Sequence, residues 1–265
     1  MDKELNLLET LEDKSDCEKT SEEDLYGVTS LKTCLYFHLN NAVINYAEDE
    51  QFPFEVLIEE NSLDICGGAI ISKFTIITAA HCIDILPVIN LLVTTGINNG
   101  ESSPIDHEID ATVIHPFYDR TTRDFDVAII KLIQPIDLNA SNVNSVEIAN
   151  SSYPFDAGTK ATLVYWELGE GSGLFYAEVE LWPQDLCLNF TTIYNIEMPP
   201  AKNAHICTSI PEGSCISDQA GSLIVNDELW GLVSWHLDCD SEYKPLVFTN
   251  LAFVKHWIDE NTRHN

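Results

Sequence analysis

Three stretches of the chain carry side chains able to do chemistry. Thr78-Ala79-Ala80-His81-Cys82 presents an imidazole beside a cysteine, and a second cysteine opens Cys66-Gly67-Gly68-Ala69-Ile70-Ile71. Asp124-Phe125-Asp126 places Asp126 at the head of the apolar run Val127-Ala128-Ile129-Ile130. Cys215-Ile216-Ser217-Asp218-Gln219-Ala220-Gly221-Ser222-Leu223 leads into Leu229-Trp230-Gly231-Leu232-Val233-Ser234-Trp235. An imidazole oriented by a carboxylate is a general acid–base pair. Covalent acyl transfer needs a hydroxyl or thiol nucleophile as well. A primary amide such as that of Gln219 has no ionisable O–H or S–H with which to attack a carbonyl. Asp106, His107 and Glu108 suggest a metal by residue type, but Ca²⁺ takes about six or more oxygen ligands. A solvated loop is the expectation there, with no metal and no cofactor.

Short apolar strands separated by turns must position these groups. Phe54–Ile58, Gly68–Ile71, Phe74–Thr78 and Val127–Leu132 form a first set, and Ala161–Trp166, Ala177–Trp182, Ser222–Val225, Leu229–Trp235 and Leu246–Asn250 form a second. Strands at such spacing predict an all-β barrel or sandwich. Apolar residues on one side of Ala252–Ile258 predict a terminal amphipathic helix.

Residues 1–41 read differently. Glu9, Glu12, Asp13, Asp16, Glu18, Glu22, Glu23 and Asp24 make the segment acidic, with few large apolar residues, so an extended or partly disordered extension is expected. Cys17 and Cys34 inside it are expected to bond to each other, a closure the chain-entropy model values at about 3 kcal/mol.

The whole chain has 265 residues and a net charge of −30, which disfavours nucleic acid and anionic membranes and points to basic partners. Hydrophobic content of 45% is enough for a core. The eight cysteines are even in number and contain no C-x-x-C pair, so a disulfide framework in an oxidising compartment is expected rather than zinc. The N-terminal Met1-Asp2-Lys3-Glu4-Leu5 does not read as a signal peptide, so a secreted protein would have lost its signal from this sequence. No stretch reaches the roughly 18 apolar residues of a membrane span. Asn139-Ala-Ser141, Asn150-Ser-Ser152 and Asn189-Phe-Thr191 are glycosylation sequons.

The three reactive stretches together resemble the trypsin/chymotrypsin-like serine proteases over about residues 42–262. Thr78–Cys82 resembles the segment around the catalytic histidine, and Asp126 aligns with the aspartate that orients it. His115-Pro116-Phe117-Tyr118-Asp119, Tyr165-Trp166, Ser234-Trp235-His236 and Pro245-Leu246-Val247-Phe248-Thr249 match further segments. The resemblance implies two packed antiparallel six-stranded β-barrels, roughly 42–150 and 151–250, and a C-terminal helix at 251–262. It also implies disulfides Cys66–Cys82, Cys187–Cys207 and Cys215–Cys239.

The departures from the family pattern are informative. Gln219 stands at the position of the nucleophilic serine, and Ser217 replaces a glycine of the oxyanion loop beside Asp218. Ser222 occupies a proline position and is expected to point away from His81. At the specificity pocket, His236 and Leu246 replace glycines and should fill the slot, and Gly213 leaves its floor without an acid. At the activation site, Asn41-Ala42-Val43-Ile44 replaces I-V-G-G, with Ala47 at a family alanine and no Lys or Arg between Cys34 and Asn41, so Asp218 is expected to lack a terminal ammonium as partner.

The implied protein is a catalytically inactive, secreted homologue of invertebrate type. It would act as cofactor, adaptor or decoy for other extracellular proteins, possible proteases or zymogens with basic surfaces, in a protease cascade such as those of innate immunity. A structural, adhesive, venom or salivary protein is one alternative, and a weak hydrolase without a serine mechanism is another.

Overall fold

The structure, a computed structural model, describes residues 43–97, 104–150, 158–167, 173–187, 203–209, 220–236 and 245–263, with backbone only at Trp235 and His236. The expectations for 1–41, Cys17–Cys34, Asn189, Gly213, Ser217, Asp218, Gln219 and Cys215–Cys239 lie outside these residues.

In the first half, β2 (Glu55–Glu60), β3 (Leu63–Ser72), β4 (Thr75–Thr78), β5 (Leu91–Thr95), β6 (Ile105–Ile114) and β7 (Ala128–Leu132) close a barrel in the order β2-β3-β4-β7-β6-β5. Their β-branched residues fill its centre: Val56, Ile58, Ile70, Ile76, Val93 and Ile130 are fully buried together. In the second half, β9 (Lys160–Glu167), β10 (Gly173–Glu180), β11 (His205–Ser209), β12 (Ser222–Val225), β13 (Glu228–His236) and β14 (Pro245–Asn250) run in the order β10-β9-β12-β13-β14-β11. An antiparallel bridge from Leu181 to Thr208 joins the two ends of that series. Two strands from the first half are annexed to this second sheet. β1 (Ile44–Tyr46) pairs with β10, and β8 (Glu147–Ile148) pairs in parallel with β13. The fold class expected from sequence is therefore found.

Local chemistry explains two of the hairpins. Asn61 and Ser62 between β2 and β3 have φ of 51° and 65°, and Asn226 and Asp227 between β12 and β13 have 51° and 64°. Two consecutive positive φ values make the turn whose twist matches the flanking strands, and Asn and Asp tolerate it. Gly221, just ahead of β12, is required by close approach: a Cβ there would lie 2.9 Å from the Val164 carbonyl.

Ala69, Ile77, Val127 and Ile129 from the first barrel pack with Leu229 and Leu232 from the second. Leu251, Val254 and Ile258 join them from the C-terminal end, so the helix seals the seam between barrels. The Trp166 indole N–H crosses that seam to the Val56 carbonyl at 3.1 Å.

Three expectations are corrected. The helix, α1, spans Lys255–Thr262 rather than beginning at 251. Leu251 N–H donates to the Trp230 carbonyl and Ala252 N–H to the Asn250 side chain, which hold the first residues in a turn. Asp106, His107 and Glu108 lie on β6, not in a loop. Asp106 and Glu108 face solvent, while His107 points inward and its Nε2 lies 2.8 Å from the Thr95 hydroxyl, so the three side chains do not converge. Strands β1, β5, β6, β8 and β11 were not anticipated.

Candidate active site

His81 is presented by the end of β4. The Thr78 hydroxyl donates to the Gly67 carbonyl at 2.8 Å, tying that end back to β3. The chain then makes one 3-10 turn, Ala80–Cys82, and the Cys66–Cys82 disulfide anchors it with Cα atoms 6.0 Å apart. His81, Cys66 and Cys82 are close enough to suggest a metal site. The two sulfurs are bonded to each other, however, and offer no thiolate.

Asp126 comes from the loop before β7. That loop contains two residues in the left-handed region, Arg123 at φ 54° and Phe125 at 53°. Such residues cost roughly 1–3 kcal/mol each, so their surroundings must hold them. Arg123 N–H donates to the Asp119 carbonyl at 2.7 Å. The Asp119 carboxylate accepts the N–H groups of Thr121 and Thr122, which draw its carboxyl below the usual range. Phe125 stacks flat on His115 at 4.7 Å, and His115 meets Trp257 of α1 at 4.8 Å. The His-Pro-Phe-Tyr-Asp segment thus clamps the loop rather than entering the chemistry. Burial pushes the His115 imidazole down from its ordinary value.

The Asp126 carboxylate is fully buried and fully engaged. Its Oδ1 accepts the His81 backbone N–H at 2.9 Å. Its Oδ2 lies 2.7 Å from His81 Nδ1 and accepts the Ser234 hydroxyl at 2.6 Å. A carboxylate receiving three hydrogen bonds is a stable way to bury the group. Because the carboxylate accepts, Nδ1 carries the proton and Nε2 is left as the basic nitrogen. The Thr249 hydroxyl of β14 donates to the Asp126 backbone carbonyl at 3.0 Å. The pair is therefore assembled by the first barrel and fixed by two hydroxyls of the second. Chemically it is a base and its orienter, able to take a proton from a group placed near Nε2.

Ser222 is fully buried on β12, and its environment is Glu55 of β2. Burial pushes the Glu55 carboxyl up to about 8, with the Ser222 hydroxyl pulling the other way. Among the described residues neither Glu55 oxygen has a hydrogen-bond partner of good geometry. Leu246 is fully buried among Ile206, Val233 and Phe248 in the second barrel's core. The His236 backbone pairs with Leu246. Cys187 and Cys207 are bonded, with Cα atoms 5.5 Å apart. Asn139 and Asn150 are both exposed.

Sequence reasoning did not find Thr249, Arg123 or His205, nor the part that the Ser234 hydroxyl plays. Arg123 Nη1 donates to the Ser234 carbonyl at 2.5 Å and lies 4.0 Å from Asp126 Oδ2. His205 is buried on β11 with its Nε2 3.8 Å from Asp124 Oδ1, and burial pushes its imidazole down to about 4. The contacts of Thr249 and Ser234, and that of the Arg123 guanidinium to Ser234, join residues more than a hundred positions apart and so leave no local signal.

A sequence model of the family described as Trypsin matches residues 44–258. Hypodermin-A of Hypoderma lineatum is 31% identical over 218 residues, covering 80% of this chain and 83% of the relative. Trypsin eta of Drosophila melanogaster is 29% identical over 198 residues, 73% of this chain and 75% of the relative. Transmembrane protease serine 11G of Mus musculus is 25% identical over 230 residues, 82% of this chain but 54% of the relative, so the chain spans about half that protein's length.

Proposed function

The chain belongs to the trypsin family, and from that premise we propose that it is a non-catalytic member that works by binding. One observation carries this reading. The base and its orienter, His81 and Asp126, are fully built, while the sequence places Gln219 where the family has its serine. A base and its orienter whose counterpart in the sequence is an amide have no atom with which to form an acyl-enzyme. Among the described residues, three hydroxyls near the pair are engaged elsewhere: Ser234 donates to the Asp126 carboxylate, Thr249 to its backbone, and Thr78 to Gly67. Full burial of Leu246 supports a filled specificity slot.

The protein in this reading is secreted, and Asn139 and Asn150 are exposed as glycosylation requires. Its invertebrate type is supported by the relatives from Hypoderma lineatum and Drosophila melanogaster. Residues 1–41 are an acidic extension to a homology domain at 42–265, and the partners are extracellular proteins with basic surfaces, as in a protease cascade of innate immunity. Among the described residues no helix is long and apolar enough to cross a membrane.

The test is hydrolysis of a broad peptide-substrate panel by the purified protein, before and after limited proteolysis, beside a His81→Ala control. No turnover in any sample is expected. Turnover that His81→Ala abolishes would overturn the reading.

A further inference from the structure

Strand β13 changes character at Ser234. Its pairing with β12 ends at Ser222 opposite Leu232, and the last hydrogen bond on that side runs from Val233 N–H to the Gly221 carbonyl at 2.8 Å. On the other side, its register with β14 slips between Val233 and Trp235, leaving Ser234 without a partner in the ladder. A bulged residue is left unpaired and the ladder is locally disrupted, and bulges recur beside active sites. The Ser234 side chain is spent on Asp126. Among the described residues no strand pairs with the Ser234 carbonyl, which accepts the Arg123 guanidinium instead.

A strand edge with a free carbonyl is where an extended chain adds, through main-chain N–H donors. In this molecule the donor is already present: it is the Arg123 guanidinium at 2.5 Å. We propose that Arg123 is a tethered occupant of the β13 edge, standing where the backbone N–H of a bound extended peptide would otherwise donate, so that Arg123 determines whether the edge accepts a peptide at all.

Three observations support this. The guanidinium carries its donors at every working pH and, being part of the chain, competes at high effective concentration. The Asp126 carboxylate, 4.0 Å away, holds it inward. By contrast Arg120, three residues earlier, reaches outward to Asp84 at 2.7 Å and is mostly exposed. Finally, Arg123 adopts φ 54°, a backbone state that glycine takes freely and arginine does not. The loop holds an arginine there against local preference. The inference does not depend on the missing nucleophile, since it concerns occupancy of the edge and not turnover.

The experiment uses capped, fluorescein-labelled hexapeptides rich in Ala and Val, titrated by anisotropy against the full chain, Arg123→Ala and Arg123→Gly. Both variants are first checked for fold by circular dichroism and melting temperature. The glycine variant suits the backbone and guards against misfolding of the first. Removing a charged donor from the carbonyl should tighten peptide binding by about tenfold or more in both variants. Equal affinity in all three proteins, including no binding in any, overturns the proposal. Hydrolysis of the peptide by any sample would count against the non-catalytic reading while leaving the affinity comparison intact.

Discussion

Asp126 and Glu55 are buried to nearly the same degree, 0% and 4% exposed, and each faces across the seam between the barrels. Asp126 receives the His81 backbone N–H, its ring and the Ser234 hydroxyl. Among the described residues Glu55 receives nothing of good geometry, and burial pushes its carboxyl up to about 8. The difference teaches that burial alone does not determine what a carboxyl group does. Donors converging from several elements make a buried carboxylate a fixed structural part, whereas their absence leaves a group that must hold a proton to stay inside.

The comparison breaks most visibly at Asp126. Asp126→Ala strands three donors in a dry site and should cost about 3–5 kcal/mol in urea unfolding. A cost near zero would mean the network is ornamental.

Glu55 should behave in the opposite sense. Its folded pKa, about 8, lies above its ordinary 4.5, so the folded state binds the extra proton. That contribution is complete below about pH 4.5 and is lost as pH rises toward 8. Glu55→Gln, which needs no proton, should be more stable than the parent by about 3 kcal/mol at pH 7 and should lose this alkaline slope. Parallel pH profiles for parent and variant would refute the assignment.

A buried histidine sharpens the same contrast from the acid side. His205 falls from 6.5 to about 4 in the fold, so the unfolded chain binds the extra proton, and stability declines as pH drops through that window. Asp124 beside it is raised by burial and works in the opposite direction. Between pH 7 and 5, His205→Leu should lose about 2 kcal/mol less stability than the parent, as read from unfolding curves at the two pH values. Identical losses would sink this point.

The smallest effect expected is at Thr249. Thr249→Val removes one buried hydrogen bond to the Asp126 carbonyl and should cost about 1 kcal/mol. Double-mutant cycles with Asp126→Ala would show whether the hydroxyl acts through the same network.

How much of this was legible in the sequence follows from the range of each interaction. The strands of apolar, β-branched runs were found because Thr75-Ile76-Ile77-Thr78 and Leu246–Asn250 signal themselves locally. Strand β6 was not, because Ile105, His107 and Ile109 alternate with Asp106, Asp110 and Glu108, and three polar neighbours drew the eye as a ligand cluster. The alternation itself was the strand signal. His81 and Asp126 stood out through their flanking residues, but Thr249 and the use made of Ser234 did not. Their contacts to Asp126 span 123 and 108 positions, and nothing in either residue's neighbours announces the partner. Glu55 was hidden for a related reason: it sits in a strand buried on both faces, where period-two reasoning has no solvent side to assign it.

The annexed strands have a consequence for the order of synthesis. Every strand of the closed first barrel is made once Leu132 has been added to the chain. Yet β1, at Ile44–Tyr46, must wait for β10, which ends at Glu180, and β8 must wait for β13. A nascent chain that has completed its first barrel therefore trails two unpaired strands at its flanks until the second half emerges. Unpaired strands are templates for wrong pairing. The shortness of both, three residues and two, limits that exposure while still stitching the late half of the molecule to the early one.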